Sequence, residues 1–179
     1  IYSAVYYPRG MEARMVMSSD NQPLKDKIIL AIIISVMVLG ILLIPTDIFY
    51  LQVLEKAPFG LQTLGLLIYL FGFILIAKAQ NQNDFIEPVV EIQTDRGHII
   101  IDTGLYSYVR HPMYSGFLLF FAGMALWHGS IFASLSVSLI LFLLLSYRIR
   151  SEEEILELEF NEYLNYRKKV KAKLIPGIY

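Results

Sequence analysis

The sequence predicts an all-α fold: an integral-membrane helical bundle of about four transmembrane helices, with a polar site on one face and an amphipathic C-terminal helix. Three observations carry this expectation. The 179 residues are 56% hydrophobic and only 17% charged, with a mean hydropathy of +0.54, whereas a soluble domain carries about a quarter charged residues. Asp, Glu, Lys and Arg are absent from three long stretches. The polar residues collect before, between and after those stretches.

Each charged residue costs about 2.5–3.5 kcal/mol at the centre of a bilayer helix, so the charge-free stretches locate the spans. Between Lys27 and Asp47 there is none, and the apolar core 28–44 closes at Pro45. Between Lys56 and Lys78 there is none either, giving a second span at 61–77. The third stretch, from His111 to Tyr147, holds about 37 residues or roughly 55 Å of helix. That is nearly twice the ~30 Å hydrocarbon core, so it must fold back. Trp127, His128, Gly129 and Ser130 form the polar, helix-breaking cluster near its middle. A hairpin of 113–126 and 131–147 is therefore expected to turn there, with Trp127 as an interfacial anchor.

Four crossings place 1–27, 78–112 and 148–179 on one side, which then holds every Lys and Arg except Lys56. The positive-inside rule makes that side cytoplasmic. The chain starts at Ile1 rather than Met, and its first seven residues lack the charged start and apolar run of a signal peptide. An upstream segment is thus expected to have been removed, and a lost helix there would end near Tyr7 and start outside. The whole of 1–179 reads as a single membrane domain.

Composition also excludes classes. A net charge of −1 provides no dense cationic footprint for nucleic acid. The absence of cysteine removes disulfides, thiolate nucleophiles and cysteine-built metal centres. No metal is expected.

Two polar segments are patterned. Gln80 to Gly104 reads as irregular or short-strand chain with Gly97 and Gly104 as breakers. In the tail, Ile149, Leu156, Phe160, Tyr163 and Val170 share one helical face. This predicts an amphipathic helix continuing from the last span until Pro176–Gly177 ends it, with a basic end able to touch anionic lipid.

The hairpin returns to the side it left, so Thr103–Gly116 on one flank and Arg148–Glu153 on the other converge. Pro112 sits near N1 of the following helix, which leaves His111 at the break. His111, Tyr106, Tyr108 and Tyr114 can hydrogen-bond or stack on a planar ligand. Arg148 and Glu152, four apart, share a helical face. An arginine can hold a carboxylate or phosphate bidentately, and a glutamate an amine, ribose hydroxyls or a cation. A zwitterionic, aromatic ligand fits this set. Each feature also has a plainer reading. Arg-His-Pro can be positive-inside flanking with an aromatic belt, and Arg148–Glu152 an i, i+4 pair worth a few tenths of a kcal/mol. His98 alone reads as a surface histidine and His128 as an interfacial one.

At these residues the sequence resembles the isoprenylcysteine carboxyl methyltransferase family and its relatives, which include phospholipid N-methyltransferases. The carrying motifs are G-x-Y-x-x-x-R-H-P-x-Y-x-G, present from Gly104 through Tyr106, Arg110, His111, Pro112 and Tyr114 to Gly116, and R-x-x-x-E-E-x-x-L-x-x-x-F followed by Y-x-x-Y. The second is carried by Arg148, Glu152, Glu153, Leu156, Phe160, Tyr163 and Tyr166. The family's F-G-x-E-Y appears as Phe160-Asn161-Glu162-Tyr163, one residue shorter.

The resemblance implies a membrane methyltransferase that uses S-adenosylmethionine, releases S-adenosylhomocysteine, and holds the cofactor on the cytoplasmic side. It implicates Glu91, His98, Ile99, Ile100, Ile101, Tyr106, His111, Pro112, Met113, Tyr114 and Glu152 in cofactor binding. Arg148 would hold the acceptor, with Arg148 and His111 as the catalytic pair. The acceptor would be a lipophilic small molecule or lipidated chain reached from the membrane lipid. A prenylcysteine carboxylate and a phospholipid amine both remain open. A membrane sterol reductase, whose C-terminal region is similar, is disfavoured by the short chain. The alternative outside enzymes is a membrane scaffold whose Lys168, Lys169, Lys171 and Lys173 recruit anionic lipid or a partner.

Overall fold

A computed structural model describes residues 23–86 and 98–179. In chain order the elements are α1 (Leu24–Thr46), a π-helical turn (Asp47–Leu51), α2 (Phe59–Gln82), a 3-10 turn (Gly104–Ser107), α3 (Pro112–His128), α4 (Ile131–Glu159) and α5 (Tyr163–Lys169). No strand occurs among the described residues.

Three helical segments are long and apolar enough to cross a bilayer, Leu24–Leu51, Phe59–Gln82 and Ile131–Glu159. Their large apolar side chains stand exposed, among them Leu39, Leu67, Phe71, Leu135 and Leu139. Water would penalise such a surface, but hydrocarbon does not. The chain is an integral membrane protein. About four crossings were expected, and α3 is the exception to length: its 17 residues span about 26 Å, less than the ~30 Å core. Pro112 fixes its start, and Gly129, at φ +103°, fixes its end.

The described residues divide into two compact units, one within 31–76 and 113–147 and the other made of those before 31, between 77 and 112, and from 148 onward. In the first, α2 and α3 meet along a seam of glycines seven apart on each helix, Gly65 and Gly72 facing Gly116 and Gly123. A Cβ on Gly72 would lie 2.5 Å from the Phe120 nitrogen, one on Gly65 2.5 Å from the Trp127 nitrogen, and one on Gly116 3.0 Å from the Ile76 nitrogen. Bare backbone on both sides lets the helices touch main chain to main chain, the membrane device for packing without a hydrophobic driving force. Tyr69 closes the seam beside Phe120 and Trp127, with ring centroids 4.7 and 5.7 Å away.

The α3–α4 turn falls where the sequence puts it. Ser130 caps α4 by accepting the Ala133 N–H at 2.9 Å. Its hydroxyl also donates to the buried Asp47 carboxylate at 2.6 Å, and the other Asp47 oxygen accepts the Val53 N–H at 3.1 Å. One hydroxyl thus starts α4 and ties it to the end of α1. Ser130→Ala removes both bonds and strands a buried carboxylate, so a loss of about 2–3 kcal/mol is expected, read as a lower melting temperature in detergent.

The second unit corrects one expectation. The tail does not continue as one amphipathic helix: α4 stops at Glu159, and α5 begins at Tyr163 and is only 7 residues long. The five residues assigned to one helical face are nonetheless inward-facing. Ile149, Tyr163 and Val170 are buried, and Leu156 and Phe160 pack against the cluster of Tyr106, Tyr163, Tyr166 and Val170. The break folds the apolar stripe around a core instead of extending it along a rod.

Candidate functional site

Within this second unit the Arg-His-Pro turn is built on local geometry. Gly104 takes φ +60°, and the Gln82 side chain accepts the Leu105 N–H at 2.8 Å; a Cβ on Gly104 would lie 2.5 Å from that same oxygen. The 3-10 turn then buries Tyr106, whose carbonyl accepts the Tyr166 hydroxyl at 2.8 Å. Arg110 and His111 follow outside any regular element, their N–H groups donating to the carbonyls of Ala172 at 3.0 Å and Lys173 at 2.9 Å. Pro112 is fully buried and opens α3.

Two side chains of that turn close on α4. Arg110 donates from Nε to Glu153 at 2.7 Å, and its Nη1 donates to the carbonyls of Val170 at 2.6 Å and Lys171 at 2.8 Å. His111 Nε2 stands 3.2 Å from the same Glu153 oxygen, while its Nδ1 stands 3.7 Å from Glu152. The Lys173 ammonium reaches the second Glu153 oxygen at 3.2 Å and lies 5.5 Å over the Tyr179 ring. Glu152 and Glu153 sit beyond the apolar run of α4, in its polar extension from Arg148. Burial alone would raise the Glu153 pKa, but hydrogen bonds from His111 and Arg110, and the charge those two can carry, hold it far below the usual carboxylate range. Burial would lower the Arg110 pKa, and its hydrogen bond and charge pairing with Glu153 outweigh that and raise it. Burial raises Tyr163 and Tyr166 above the usual phenol value, helped at Tyr163 by the Glu153 charge, so both stay neutral.

The other expected residues distribute as follows. His98 stacks on Phe85 at 4.5 Å and 11° and leans on Phe160 at 5.1 Å. Ile100 and Ile101 pack on the tyrosine cluster, while Ile99 is 60% exposed. Met113 and Tyr114 lie in the first turn of α3, with Tyr114 buried. Glu91 lies outside the described residues. Arg148 is buried and faces Asp26 of α1, Nη1 to Oδ1 3.9 Å. Arg148 and Glu152 lie four apart on α4, and Arg148 also meets this α1 carboxylate. Asp26 and Arg110 therefore join the site although neither was expected to bind or react, and Lys173 joins it although it was expected only as a lipid contact; Glu153, expected only as a possible base for an amine acceptor, is where Arg110, His111 and Lys173 meet. Among the described residues no group of three or more His, Cys, Asp or Glu side chains could hold a metal ion.

Comparison with known proteins defines the class. Residues 61–162 match the family model described as phospholipid methyltransferase, so the chain belongs to that family of membrane proteins. The match reaches back to include α2, further than the motifs alone. Among curated relatives, the protein-S-isoprenylcysteine O-methyltransferase of Schizosaccharomyces pombe is 32% identical over 72% of this chain and 53% of its own length. That of Xenopus laevis is 30% identical over 66% of this chain and 42% of its own. The chain spans about half the length of the curated relatives it matches. The solved structure of the eukaryotic intramembrane Ras methyltransferase, isoprenylcysteine carboxyl methyltransferase, shares the fold at a TM-score of 0.65 and 20% identity, over 98% of this chain and 60% of that one.

Proposed function

We propose that this protein is an integral-membrane S-adenosylmethionine-dependent methyltransferase acting on a lipophilic acceptor, with its cofactor site on the cytoplasmic side. The observation that carries it is the meeting of the two motifs at one point: His111 of the Arg-His-Pro turn stands 3.7 Å from Glu152 and 3.2 Å from Glu153. The names of the relatives favour a lipidated cysteine carboxylate as acceptor. The description of the family model favours a phospholipid amine as the second reading.

The residues present fit the cofactor's chemistry. Glu152, whose side chain is 27% exposed beside His111, suits an ammonium or ribose hydroxyls, and the His98–Phe85 stack is an aromatic platform of the kind an adenine needs. When bound, S-adenosylmethionine supplies an electrophilic methyl on a sulfonium, ready for in-line displacement. The protein's task is then alignment and exclusion of water. A carboxylate acceptor is already ionised and needs no base, so Arg148 would only position it. An amine acceptor has to lose a proton, for which His111 or Glu153 is the nearest base. Glu153, held deeply ionised by its partners, is a weak base, which leaves that task to His111.

Titration of the detergent-solubilised protein with S-adenosylhomocysteine in a calorimeter tests the reading. Saturable binding is expected, weakened about tenfold or more by Glu152→Gln through loss of a charge-assisted hydrogen bond. No binding by the unaltered protein, or binding indifferent to Glu152→Gln, rejects it. Transfer of labelled methyl into a total membrane extract then separates the acceptors: a base-labile product is an ester and a stable one an N-methyl group.

A further inference from the structure

The turn region where α1 passes to α2 and α3 to α4 contains a feature that methyl transfer at the Arg-His-Pro turn does not use. Seven residues, 52–58, join the bilayer-crossing segments ending at Leu51 and beginning at Phe59. A connection that short between two spans has to lie in the headgroup layer. It does so at the membrane face opposite the one α2 reaches at Gln82.

There it encloses a cavity of about 400 Å3, lined by Asp47, Ile48, Gln52, Leu54, Glu55, Lys56 and Gly129. The cavity is a shaped feature rather than a loose loop. Its floor is Asp47, 3% exposed, with one oxygen on the Ser130 hydroxyl and the other on the Val53 N–H. Gln52 adopts the left-handed conformation at φ 46°, and its N–H returns to the Asp47 carbonyl at 2.8 Å. The Ala57 N–H binds the Gly129 carbonyl at 2.9 Å. The Lys56 stem lies against Gly129, where a Cβ would stand 2.8 Å from its Cε.

Lys56 is the one Lys or Arg between Lys27 and Lys78, and it stands exposed beside the exposed carboxylate of Glu55. A cation and an anion thus share one concave site, and Phe49, Tyr50 and Phe59, each more than 70% exposed, are close in sequence to it. Such aromatic side chains settle at the bilayer interface. A lone phosphate would answer Lys56 and be repelled by Glu55 and Asp47, and a lone cation would meet the reverse conflict. A phosphodiester joined to an ammonium satisfies both, and acyl chains satisfy the aromatic flank.

We propose that this cavity seats the headgroup of a zwitterionic phospholipid from the leaflet on that face, with Lys56 on the phosphate and Glu55 on the ammonium. The site is a binding site for resident lipid, separate from any acceptor of methyl transfer.

The test is native mass spectrometry of the intact protein, released from detergent with phosphatidylethanolamine, phosphatidylglycerol, or water-soluble phosphoethanolamine added at equal concentration. Phosphatidylethanolamine should be retained in preference to phosphatidylglycerol, and phosphoethanolamine only weakly, since it lacks the chains. Lys56→Met keeps the stem and removes the charge; it should weaken retention of both lipids about tenfold, whereas Glu55→Gln should weaken only the ammonium-bearing one, by a similar factor. Both side chains are exposed, so an unchanged melting temperature is expected to show both variants folded. Retention indifferent to lipid class, or equal in Lys56→Met and the unaltered protein, overturns the proposal as mere annular lipid. Retention of phosphoethanolamine as strong as that of the lipid overturns it in favour of a soluble ligand.

Discussion

Gly123→Ala is expected to unfold or severely loosen the membrane unit, whereas Gly60→Ala in the same assay is expected to be neutral or slightly stabilising. At Gly123 an added Cβ would fall on the backbone nitrogen of Tyr69 and lie 2.7 Å from the Gly65 carbonyl oxygen. The obstacle is main chain on α2, which no rotamer change can move aside. Overpacking a well-fitted interface costs about 1–3 kcal/mol where side chains can yield, and a backbone obstacle places this substitution at or above the upper end. The Gly72→Ala variant should behave alike, with the Phe120 nitrogen 2.5 Å from its Cβ. Gly60, in the first turn of α2, has nothing within 4 Å, so alanine there gains helix propensity of up to about 1 kcal/mol and meets no obstacle. Thermal denaturation of the detergent-solubilised variants, followed by helical circular dichroism, checks the pair. Equal melting temperatures for Gly123→Ala and Gly60→Ala would refute close backbone contact along this seam.

Glu153→Gln carries the second large effect. Three partners address this carboxylate, Arg110 at 2.7 Å and His111 and Lys173 at 3.2 Å, and the Arg110 side chain is 3% exposed. Neutralising Glu153 leaves a buried guanidinium without its counter-charge, a situation that costs about 3–5 kcal/mol. The acid limb provides a check that a packing defect would not reproduce. A carboxylate whose folded pKa is depressed contributes stability that is complete above its unfolded value, here 4.5, and is lost as the pH falls through the lower folded value. Melting temperature measured from pH 7 down to about pH 3 should therefore fall more steeply below 4.5 in the unaltered protein than in the variant. Parallel curves would remove Glu153 from that role.

What the sequence allowed and withheld divides along physical lines. The helices were legible because charge is costly in hydrocarbon, and the turn at Gly129–Ser130 because a charge-free stretch of that length has to reverse. The two motifs were legible as residue types at fixed spacing, and His111 does stand beside Glu152 and Glu153. Two kinds of partner were not. Arg110 is held by the carbonyls of Val170 and Lys171, and main-chain acceptors have no letter in a sequence. Asp26, the partner of Arg148, reads as one more charge flanking an apolar run. The break after Glu159 did leave a trace. Asn161 stands where the family motif has glycine, and both residues favour the backbone conformations that end helices. A helical face that continued in register through Tyr163 and Val170 outweighed that trace, since the same residues line a helix face and a folded-back core equally well.

The bonds from Arg110 to Val170 and Lys171 join positions 60 and 61 apart in the chain. During biosynthesis the Arg-His-Pro turn therefore leaves the ribosome long before the carbonyls that will hold it, and α3 and α4 have to be translated first. A nascent protein can already be inserted in the bilayer while this turn is still unclosed. Closure of the polar unit is thus a late event in its making, dependent on residues that the family model, ending at 162, does not include.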